Sequence, residues 1–250
     1  MYRPRVIPVL LLKNNHLVKT VGFSNANYIG DPINAVRLFN DLRVDELVFL
    51  DIDATKSGRC IDIDLVREIG EEANMPFSVG GGIKHLDQIR DIIAAGAERA
   101  IIGTQAAESP NFISDAVKHF GTSTISVCID VKKNIWGKKK VFIKNAKVNT
   151  SIDAFEFAKK MQTLGVGELI VQSVDNDGKM LGYDLELIQN ISEAVNIPVV
   201  ALGGAGSVQD LRNAWHIGKA NGLAAGSIFV YQGTKKGVLI NYPQKSEWFY

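Results

Sequence analysis

Along the chain, short apolar runs rich in β-branched residues alternate with stretches in which apolar residues recur every three or four positions. The first pattern predicts β-strands, and the second predicts amphipathic helices. Strands are predicted at 6–12, 46–53, 76–81, 99–103, 124–132, 168–175, 198–204 and 221–227. Helices are predicted at 29–44, 62–73, 85–96, 111–121, 152–165, 184–195 and 208–218.

About eight strand–helix units of this length predict a parallel sheet with right-handed crossover connections. Because eight units suffice to close a cylinder, an α/β fold of the (β/α)8 TIM-barrel type is favoured, and an open doubly wound sheet is the alternative. The last segment, 234–250, has a glycine and a proline where an eighth full helix would lie. A shortened or irregular last helix is therefore expected.

The two halves of the chain resemble each other. VGGGIKHLDQIRDIIAAGAERAIIGT (79–104) and ALGGAGSVQDLRNAWHIGKANGLAAGS (201–227) carry glycine, arginine and apolar residues at matching places. Gly81 and Gly203 stand 122 positions apart, as do Arg90 and Arg212. This period predicts two duplicated half-barrels, about 1–121 and 122–250, within a single barrel domain over 1–250.

Glycines follow four of the predicted strands, in GGGI (80–83), IIGT (101–104), GGAGS (203–207) and AAGS (224–227). Backbone N–H groups exposed at such strand ends, together with the dipole of the following helix, attract phosphate. In TIM barrels the site lies at the C-terminal rim. The glycines thus predict two phosphate sites on opposite sides of one rim; for any single glycine a tight turn is the alternative.

The repeat also reveals a difference between the halves. Asp130 and Leu11 occupy matching places at the ends of the first strand of each half. An acid at the rim can act as a general acid or base, and an aliphatic side chain cannot. One proton-transferring carboxylate, Asp130, is therefore expected at the mouth of the barrel.

Composition narrows the range of partners. With 28 basic and 27 acidic residues, the net charge of +1 offers no electrostatic case for nucleic acid or an anionic membrane. Two cysteines, Cys60 and Cys128, fit a reducing cytoplasm better than a disulfide scaffold. The histidines show no metal spacing, and neither a metal nor a cofactor is expected. The basic run at 132–140 predicts a solvated hairpin, with a clamp for a phosphate-rich substrate as the alternative.

Several segments together resemble a known family: RVIPVLLLK, VKTVGF, ELVFLDIDA, GGGI, CIDVK, GVGEL, SVDNDG, GYD, GGAG and AAGSIF. Over residues 3–231 the chain resembles the cyclase subunit of imidazole glycerol phosphate synthase. The resemblance implies that ammonia from a glutaminase partner passes through the barrel to the rim, where a ribonucleotide with two phosphates is aminated, cleaved and cyclised. Asp130 matches one of the family's two catalytic aspartates, and Leu11 stands in place of the other.

The resemblance implies roles for further residues. Those matched to substrate and phosphate binding are Lys19 in the first rim loop, Asp51, Gly82, Thr104, Asp175, Gly204, Gly226 and Ser227. Those matched to the ammonia gate and the glutaminase interface are Arg5, Glu46, Glu98, Arg99 and Glu168. Turn and cap roles are the alternative for Asp51 and Asp175, and a salt-bridge ring that merely closes the barrel is the alternative for the gate.

The segment LLLK also resembles paralogues from bacterial surface-polysaccharide pathways. This implies a cytoplasmic synthase subunit that forms a heterodimer with a HisH-like glutaminase and supplies a separate sugar amidotransferase, for amidination of a nucleotide-activated N-acetyl sugar in lipopolysaccharide synthesis. Three alternatives stay open: the histidine-pathway cyclase, which converts PRFAR and ammonia to imidazole glycerol phosphate and AICAR; a non-catalytic ammonia conduit; and a related sugar-phosphate isomerase.

Overall fold

The computed structural model describes residues 3–233 and 236–243. Its strands, in chain order, are β1 (Arg5–Lys13), β2 (His16–Val21), β3 (Ser24–Gly30), β4 (Leu47–Asp51), β5 (Phe77–Gly80), β6 (Arg99–Ile102), β7 (Ile125–Lys133), β8 (Lys139–Ile143), β9 (Val148–Asp153), β10 (Glu168–Ser173), β11 (Val199–Leu202), β12 (Gly222–Ala225), β13 (Tyr231–Gln232) and β14 (Gly237–Val238). Its helices are α1 (Pro32–Leu42), α2 (Ile63–Glu72), α3 (Leu86–Ala94), α4 (Thr104–Glu108), α5 (Pro110–Phe120), α6 (Ala154–Thr163), α7 (Leu185–Ala194), α8 (Val208–His216) and α9 (Ser227–Val230), with a 3-10 turn at Thr122–Thr124.

Eight of these strands close into a parallel barrel in the order β1, β4, β5, β6, β7, β10, β11, β12 and back to β1. The pairing of β7 with β10 places Asp130 beside Gln172. The pairing of β12 with β1 places Ala224 beside Ile7. The predicted TIM barrel is confirmed, and the open sheet is excluded because no strand of the barrel is left as an edge.

Side chains of the barrel strands alternate between two packed layers. In β1, Ile7, Val9 and Leu11 belong to the buried cluster inside the barrel, whereas Leu10 and Leu12 belong to the layer between strands and helices. The interior cluster also contains Val18, Val48, Ile101, Ile170, Val200, Leu202 and Ala224. Because the period of a strand is two residues, the inward set of each strand follows from its first inward residue.

The first helix begins where its sequence signals place it. The Asp31 carboxylate accepts a hydrogen bond from the backbone N–H of Asn34 at 2.9 Å, and Pro32 takes the first helical position. An aspartate at this place satisfies a donor that the helix leaves without a partner, and proline has no N–H to lose there.

Two antiparallel hairpins extend the rim. One is formed by β2 and β3 after β1, and the other by β8 and β9 after β7. The hairpin in the basic run was predicted, but β2 and β3 were not. Lys19 therefore lies within strand β2, which corrects its expected position in a rim loop.

The last helix of the described residues, α9, has four residues and precedes the segment 234–250; the described part of that segment, 236–243, contains β14 and no helix. The remainder of the segment expected to be irregular, 234–235 and 244–250, lies outside the described residues. In the part of the chain that the structure describes, no helix is long and apolar enough to cross a membrane.

Element bounds recur with the period of the sequence repeat. Helix α2 and helix α7, strand β5 and strand β11, and helix α3 and helix α8 each begin 122 positions apart and end 122 positions apart. The two hairpins likewise follow the first barrel strand of each half. These matched bounds support the proposed division into half-barrels.

Gly204 provides a test of how tightly the rim is packed. Its φ is +113°, its carbonyl accepts from the N–H of Gly182 at 2.9 Å, and a Cβ there would overlap the Gly182 carbonyl oxygen. We expect Gly204→Ala to lower the free energy of unfolding by about 3 kcal/mol, from left-handed strain plus overpacking. The measurement is urea unfolding followed by circular dichroism.

Gly58→Ala is the matched control, since Gly58 has a φ of +66° but open space around its Cβ position. It is expected to cost about 1 kcal/mol, the strain alone. Equal losses in the two variants would show that the close approach at Gly204 does not matter.

Candidate functional site at the barrel mouth

Two recesses open at the mouth, where the barrel strands end. The first is lined by Asp51, Asp130 and the glycine-containing ends of β5 and β6 (80–83 and 103–105). The second is lined by Lys19, Asp177 and the ends of β11 and β12 (203–205 and 225–227). Leu11 and Gln172 line both recesses. The repeated glycine segments thus form two adjoining cradles around one centre, rather than separate turns.

Asp130 lies half-buried on β7, pointing into the first recess. Burial raises the pKa of its carboxyl to about 7, and the nearby charge of Asp177 acts in the same direction. The thiol of Cys128 donates to its Oδ1 at 3.7 Å, which opposes the increase of the Asp130 pKa. A carboxyl with a pKa near 7 can both take up and release a proton at neutral pH.

Leu11 occupies the wall shared by the two recesses. It is 9% exposed and pairs with Leu50 on β4 and Val18 on β2. At this place β1 presents hydrocarbon to the centre of the mouth, where the matching residue of the other half presents a carboxylate. An aliphatic side chain offers neither proton transfer nor a hydrogen bond to a substrate.

The sequence pattern does not distinguish Asp177, which lies in the segment SVDNDG (173–178). Its carboxylate lies 3.5 Å from both the Thr20 hydroxyl and the Gln172 amide nitrogen. Burial raises the pKa of Asp177, and the Lys19 ammonium lowers it. The mouth therefore has a second half-buried acid beside Leu11, which corrects the expectation of a single carboxylate. The repeat could not have indicated it, because Thr55 stands at the matching place of the first half.

Lys19 reaches from β2 into the second recess. It is 7% exposed, burial lowers the pKa of its ammonium, and Asp177 raises that pKa. Its Nζ fills the space that a side chain at Gly226 would need. Among the described contacts its ammonium has no hydrogen-bond or ion-pair partner, so a buried positive charge faces the backbone of Gly226 and Ser227. Such a charge beside strand-end N–H groups suits a phosphate group.

Each hairpin connects the two halves of the barrel at the mouth. The tip of the β2–β3 hairpin meets the loop after β10, where the Gly22 N–H donates to the Asp177 carbonyl at 3.0 Å. The tip of the β8–β9 hairpin meets the loop after β4, where the Asn145 amide donates to the Ile52 carbonyl at 2.6 Å. Each hairpin thus leaves one half of the barrel and is anchored to the loop of the other half.

Other predicted binding residues have structural partners. Asp51 accepts from the N–H groups of Asp53 and Ala54 at 3.0 and 3.1 Å, and from the Arg59 guanidinium at 2.6 Å. Asp175 accepts from the Lys133 N–H at 2.9 Å. For these two carboxylates the geometry favours the alternative turn and cap roles.

The remaining predicted residues of the first recess are Gly82 and Thr104. Thr104 accepts from the Lys144 N–H at 3.1 Å through its hydroxyl. Gly82 has a φ of +65°, and a Cβ there would overlap the Arg59 carbonyl oxygen. Only glycine brings the backbone this close to the loop that Asp51 organises.

A ring of charges closes the opposite end of the barrel. Arg5, Arg99 and Glu168 begin β1, β6 and β10, and Glu46 precedes β4. Arg5 pairs with Glu46 at 2.5 Å and also with Glu168, while Arg99 pairs with Glu46 at 3.2 Å. Burial raises the pKa of Glu46, and the neighbouring Arg5 lowers it.

The charged ring is connected to the protein surface through Glu98. Glu98 contacts Arg99 at 3.7 Å, and about half of its side chain, 51%, is exposed. Within the described residues, no group of three or more His, Cys, Asp or Glu side chains is arranged to hold a metal ion.

Comparison with known proteins agrees with this architecture. The family described as histidine biosynthesis protein matches residues 5–236. The chain belongs to this family. It is 44% identical, over 99% of its own length and 95% of the relative's, to a Vibrio vulnificus protein whose provisional name is imidazole glycerol phosphate synthase subunit hisF3. A Leptospira interrogans protein provisionally named imidazole glycerol phosphate synthase subunit HisF is 43% identical over 99% of this chain and 98% of its own.

A third relative carries the same subunit name without that provision. The imidazole glycerol phosphate synthase subunit HisF of Clostridium botulinum is 40% identical over 98% of this chain and 97% of its own. The chain is accordingly a HisF-like member of the imidazole glycerol phosphate synthase cyclase family. The resemblance read from the sequence motifs is confirmed at this level.

The raised pKa of Asp130 makes stability depend on pH. Between about pH 4 and 7 the unfolded chain ionises this carboxyl while the folded chain keeps it protonated, so its contribution to stability falls as the pH rises through this window. We expect Asp130→Asn to raise the free energy of unfolding at pH 8 by about 1–3 kcal/mol relative to wild type, and to have little effect near pH 4.

Urea unfolding at the two pH values measures this difference. Asp115→Asn is the control, since Asp115 is an exposed acid on α5. If Asp130→Asn changes the free energy of unfolding at pH 8 by no more than Asp115→Asn does, then Asp130 ionises in the folded protein as it does in water, and the prediction is wrong.

Proposed function

We propose that this protein is the synthase subunit of a glutamine amidotransferase, which uses ammonia from a HisH-like glutaminase and supplies a separate sugar amidotransferase, for amidination of a nucleotide-activated N-acetyl sugar in lipopolysaccharide synthesis. The observation that carries the proposal is the combination of a complete charged ring at one end of the barrel with Leu11 at the other. The end that would receive ammonia keeps its charges, whereas the centre of the mouth lacks a carboxylate that cyclisation uses in the family.

The apolar interior of the barrel is better suited to a small neutral molecule than to an ion. Between the ring and the mouth the barrel is lined mainly by aliphatic side chains, including Ile7, Val48, Ile101 and Ile170. Ammonia is neutral and loses little hydration free energy on leaving water, whereas ammonium would lose most of its hydration free energy in the apolar interior. An apolar core between two polar ends therefore favours ammonia over its conjugate acid.

The ring supports a gated connection to the glutaminase. Its ion pairs form a chain across the end of the barrel, in which Arg5 contacts Glu46 and Glu168, and Arg99 contacts Glu46. A small molecule passes only if one of these pairs opens. Arg99 is also in contact with the exposed Glu98, so a partner that binds Glu98 acts directly on the gate.

At the mouth, Lys19 with Gly226 and Ser227 would hold a phosphate of the nucleotide portion. The first recess, with Gly82 and Thr104, would hold the remainder of the substrate near Asp130. With a pKa of about 7, Asp130 can remove a proton from an attacking nitrogen or return one to a leaving group.

A second candidate is the histidine-pathway cyclase itself, and Asp177 favours it. This half-buried acid lines the same recess as Leu11, and its charge raises the pKa of Asp130. If Asp177 substitutes for the missing acid, two proton-transfer groups remain at the mouth. Asp177 could take this role although it is far from Leu11 in the sequence, because proton transfer depends on the position of the carboxylate in the recess.

The decisive experiment for the partner class is glutamine hydrolysis by candidate HisH-like glutaminases, with and without the purified barrel. We expect the barrel to stimulate hydrolysis at least tenfold. Arg99→Ala should reduce this stimulation about tenfold, because it removes one charge-assisted interaction from the gate. Arg67→Ala removes an exposed pair with Asp64 on α2 and is the control. Absence of stimulation by the wild-type barrel would contradict the proposal.

Complementation of a strain that lacks the cyclase separates the two candidates. We expect no growth without histidine for the wild-type chain, and growth for Leu11→Asp, which restores the second acid. A missing general acid or base costs about 100- to 10,000-fold in rate, enough to abolish growth.

Two controls accompany this test. Growth of the wild type, abolished by Asp177→Asn, would establish the cyclase and refute amidination. In the amidination reaction, Asp130→Asn is expected to lose nearly all product, whereas full activity of that variant would indicate a non-catalytic ammonia conduit.

A further inference from the structure

We propose that the turn between β7 and β8, residues 134–138, which we name the Trp136 turn, is the docking surface for the acceptor enzyme, an acidic-faced protein that uses the nitrogen delivered at the mouth. This inference rests on the proposed function and adds to it the surface that the acceptor recognises. The turn lines neither recess and is not part of the barrel or the charged ring.

The Trp136 turn presents two large apolar side chains to solvent. Ile135 is 92% exposed and Trp136 is 79% exposed, and they are neighbours in the chain. Isolated exposed apolar residues are ordinary, but an exposed tryptophan beside an isoleucine forms a compact anchor. Tryptophan is enriched among the residues that carry most of the binding energy in protein interfaces.

The turn is held in one conformation by its own hydrogen bonds. The Asn134 side-chain oxygen accepts from the N–H groups of Trp136 and Lys138 at 3.0 and 2.9 Å. The Asn134 N–H donates to the Lys138 carbonyl at 2.9 Å, and Gly137 takes a φ of +74°. A surface that is already ordered loses little conformational entropy on binding, so its apolar area contributes more fully to affinity.

The pseudo-equivalent hairpin of the first half lacks this feature. There β1 and β2 are joined by the two polar residues Asn14 and Asn15, whereas β7 and β8 are joined by the five residues 134–138. Both connections join equivalent barrel strands to equivalent hairpins. The three additional residues, with their apolar side chains, are therefore not required to form the barrel.

The segment of the chain that carries the turn is strongly basic. Residues 132–147 contain seven lysines and no Asp or Glu, in a chain whose net charge is +1. Lys139, Lys140 and Lys144 are paired with acids of neighbouring elements. No ion pair with Lys132, Lys133 or Lys138 is found among the described residues. An apolar anchor flanked by positive charge is complementary to an apolar pocket with an acidic rim.

The position of the turn suits a protein placed over the mouth. It continues the strand that carries Asp130, and the Lys133 N–H is bonded to Asp175 in the loop after β10. The charged ring with Glu98 and Arg99 lies at the opposite end of the barrel. A glutaminase at the ring and an acceptor at the Trp136 turn could thus bind at the same time, at the two ends of one conduit.

The test is direct binding of purified sugar amidotransferases from the same organism to the immobilised full-length barrel, measured by biolayer interferometry. We expect one of them to bind the wild type, more tightly at low ionic strength, and to bind an Ile135→Ser/Trp136→Ser double variant about 30-fold more weakly. Leu181→Ser, which removes an apolar side chain that is 83% exposed in the loop after β10, is the matched control and should bind as wild type does.

Three results would overturn the inference: no binding by any of these enzymes, equal binding by wild type and the double variant, or an equal loss in Leu181→Ser. Turn-dependent binding to vesicles of phosphatidylcholine and phosphatidylglycerol, or self-association of the barrel through the turn, without binding of an amidotransferase, would also overturn it.

The same variants separate this inference from the proposed function. Stimulation of the glutaminase is expected to be unchanged in the double variant, because the gate is at the other end. A barrel that binds an amidotransferase through the turn but stimulates no glutaminase would refute the proposed function alone. A barrel that stimulates the glutaminase normally but binds no amidotransferase would refute the docking surface alone.

Discussion

Closure of the parallel strand ladder is the constraint on which the rest of the structure depends. The hydrogen bonds that join β7 to β10 and β12 to β1 leave no edge, so every barrel strand presents alternate residues to one shared interior. Because all eight strands run the same way, all their amino ends meet at the charged ring and all their carboxyl ends meet at the mouth. A single hydrogen-bond network therefore places gate, apolar interior and recesses along one axis.

The duplicated halves contribute unequally to the mouth. Both half-buried acids, Asp130 and Asp177, belong to the second half, and the first half has Leu11 and Thr55 at the matching places. The first half supplies Lys19 and Thr20 through its hairpin, which is anchored to the Asp177 loop. The candidate site thus needs both halves, although neither has lost the fold. The two halves differ in the side chains at the mouth, where a change in side-chain chemistry has little effect on the packing of the two layers.

The barrel strands and most helices could be predicted because their signals are local: a buried strand is a short apolar run, and a helix repeats its apolar face within one or two turns. The first hairpin escaped prediction because β3, SNANYIG, is largely exposed and shows no alternation. Because that hairpin is not predicted, Lys19 is expected in a loop. Asp177 escaped because nothing in SVDNDG distinguishes a buried carboxylate from a turn residue, and its burial depends on a hairpin far away in sequence.

The sequence by itself determined the number of strand–helix units, their duplication, the glycine-rich strand ends, and the difference between Leu11 and Asp130, because each of these is a matter of residue type and spacing. Only the tertiary structure decided that Asp177 lies beside Leu11, that the Lys19 ammonium faces Gly226, and that Asp51 accepts from Arg59 at the edge of the first recess. Thr20 and Asp177 are 157 positions apart. Contacts of that kind arise from strand order and barrel closure, and local periodicity carries no information about which distant loops will meet.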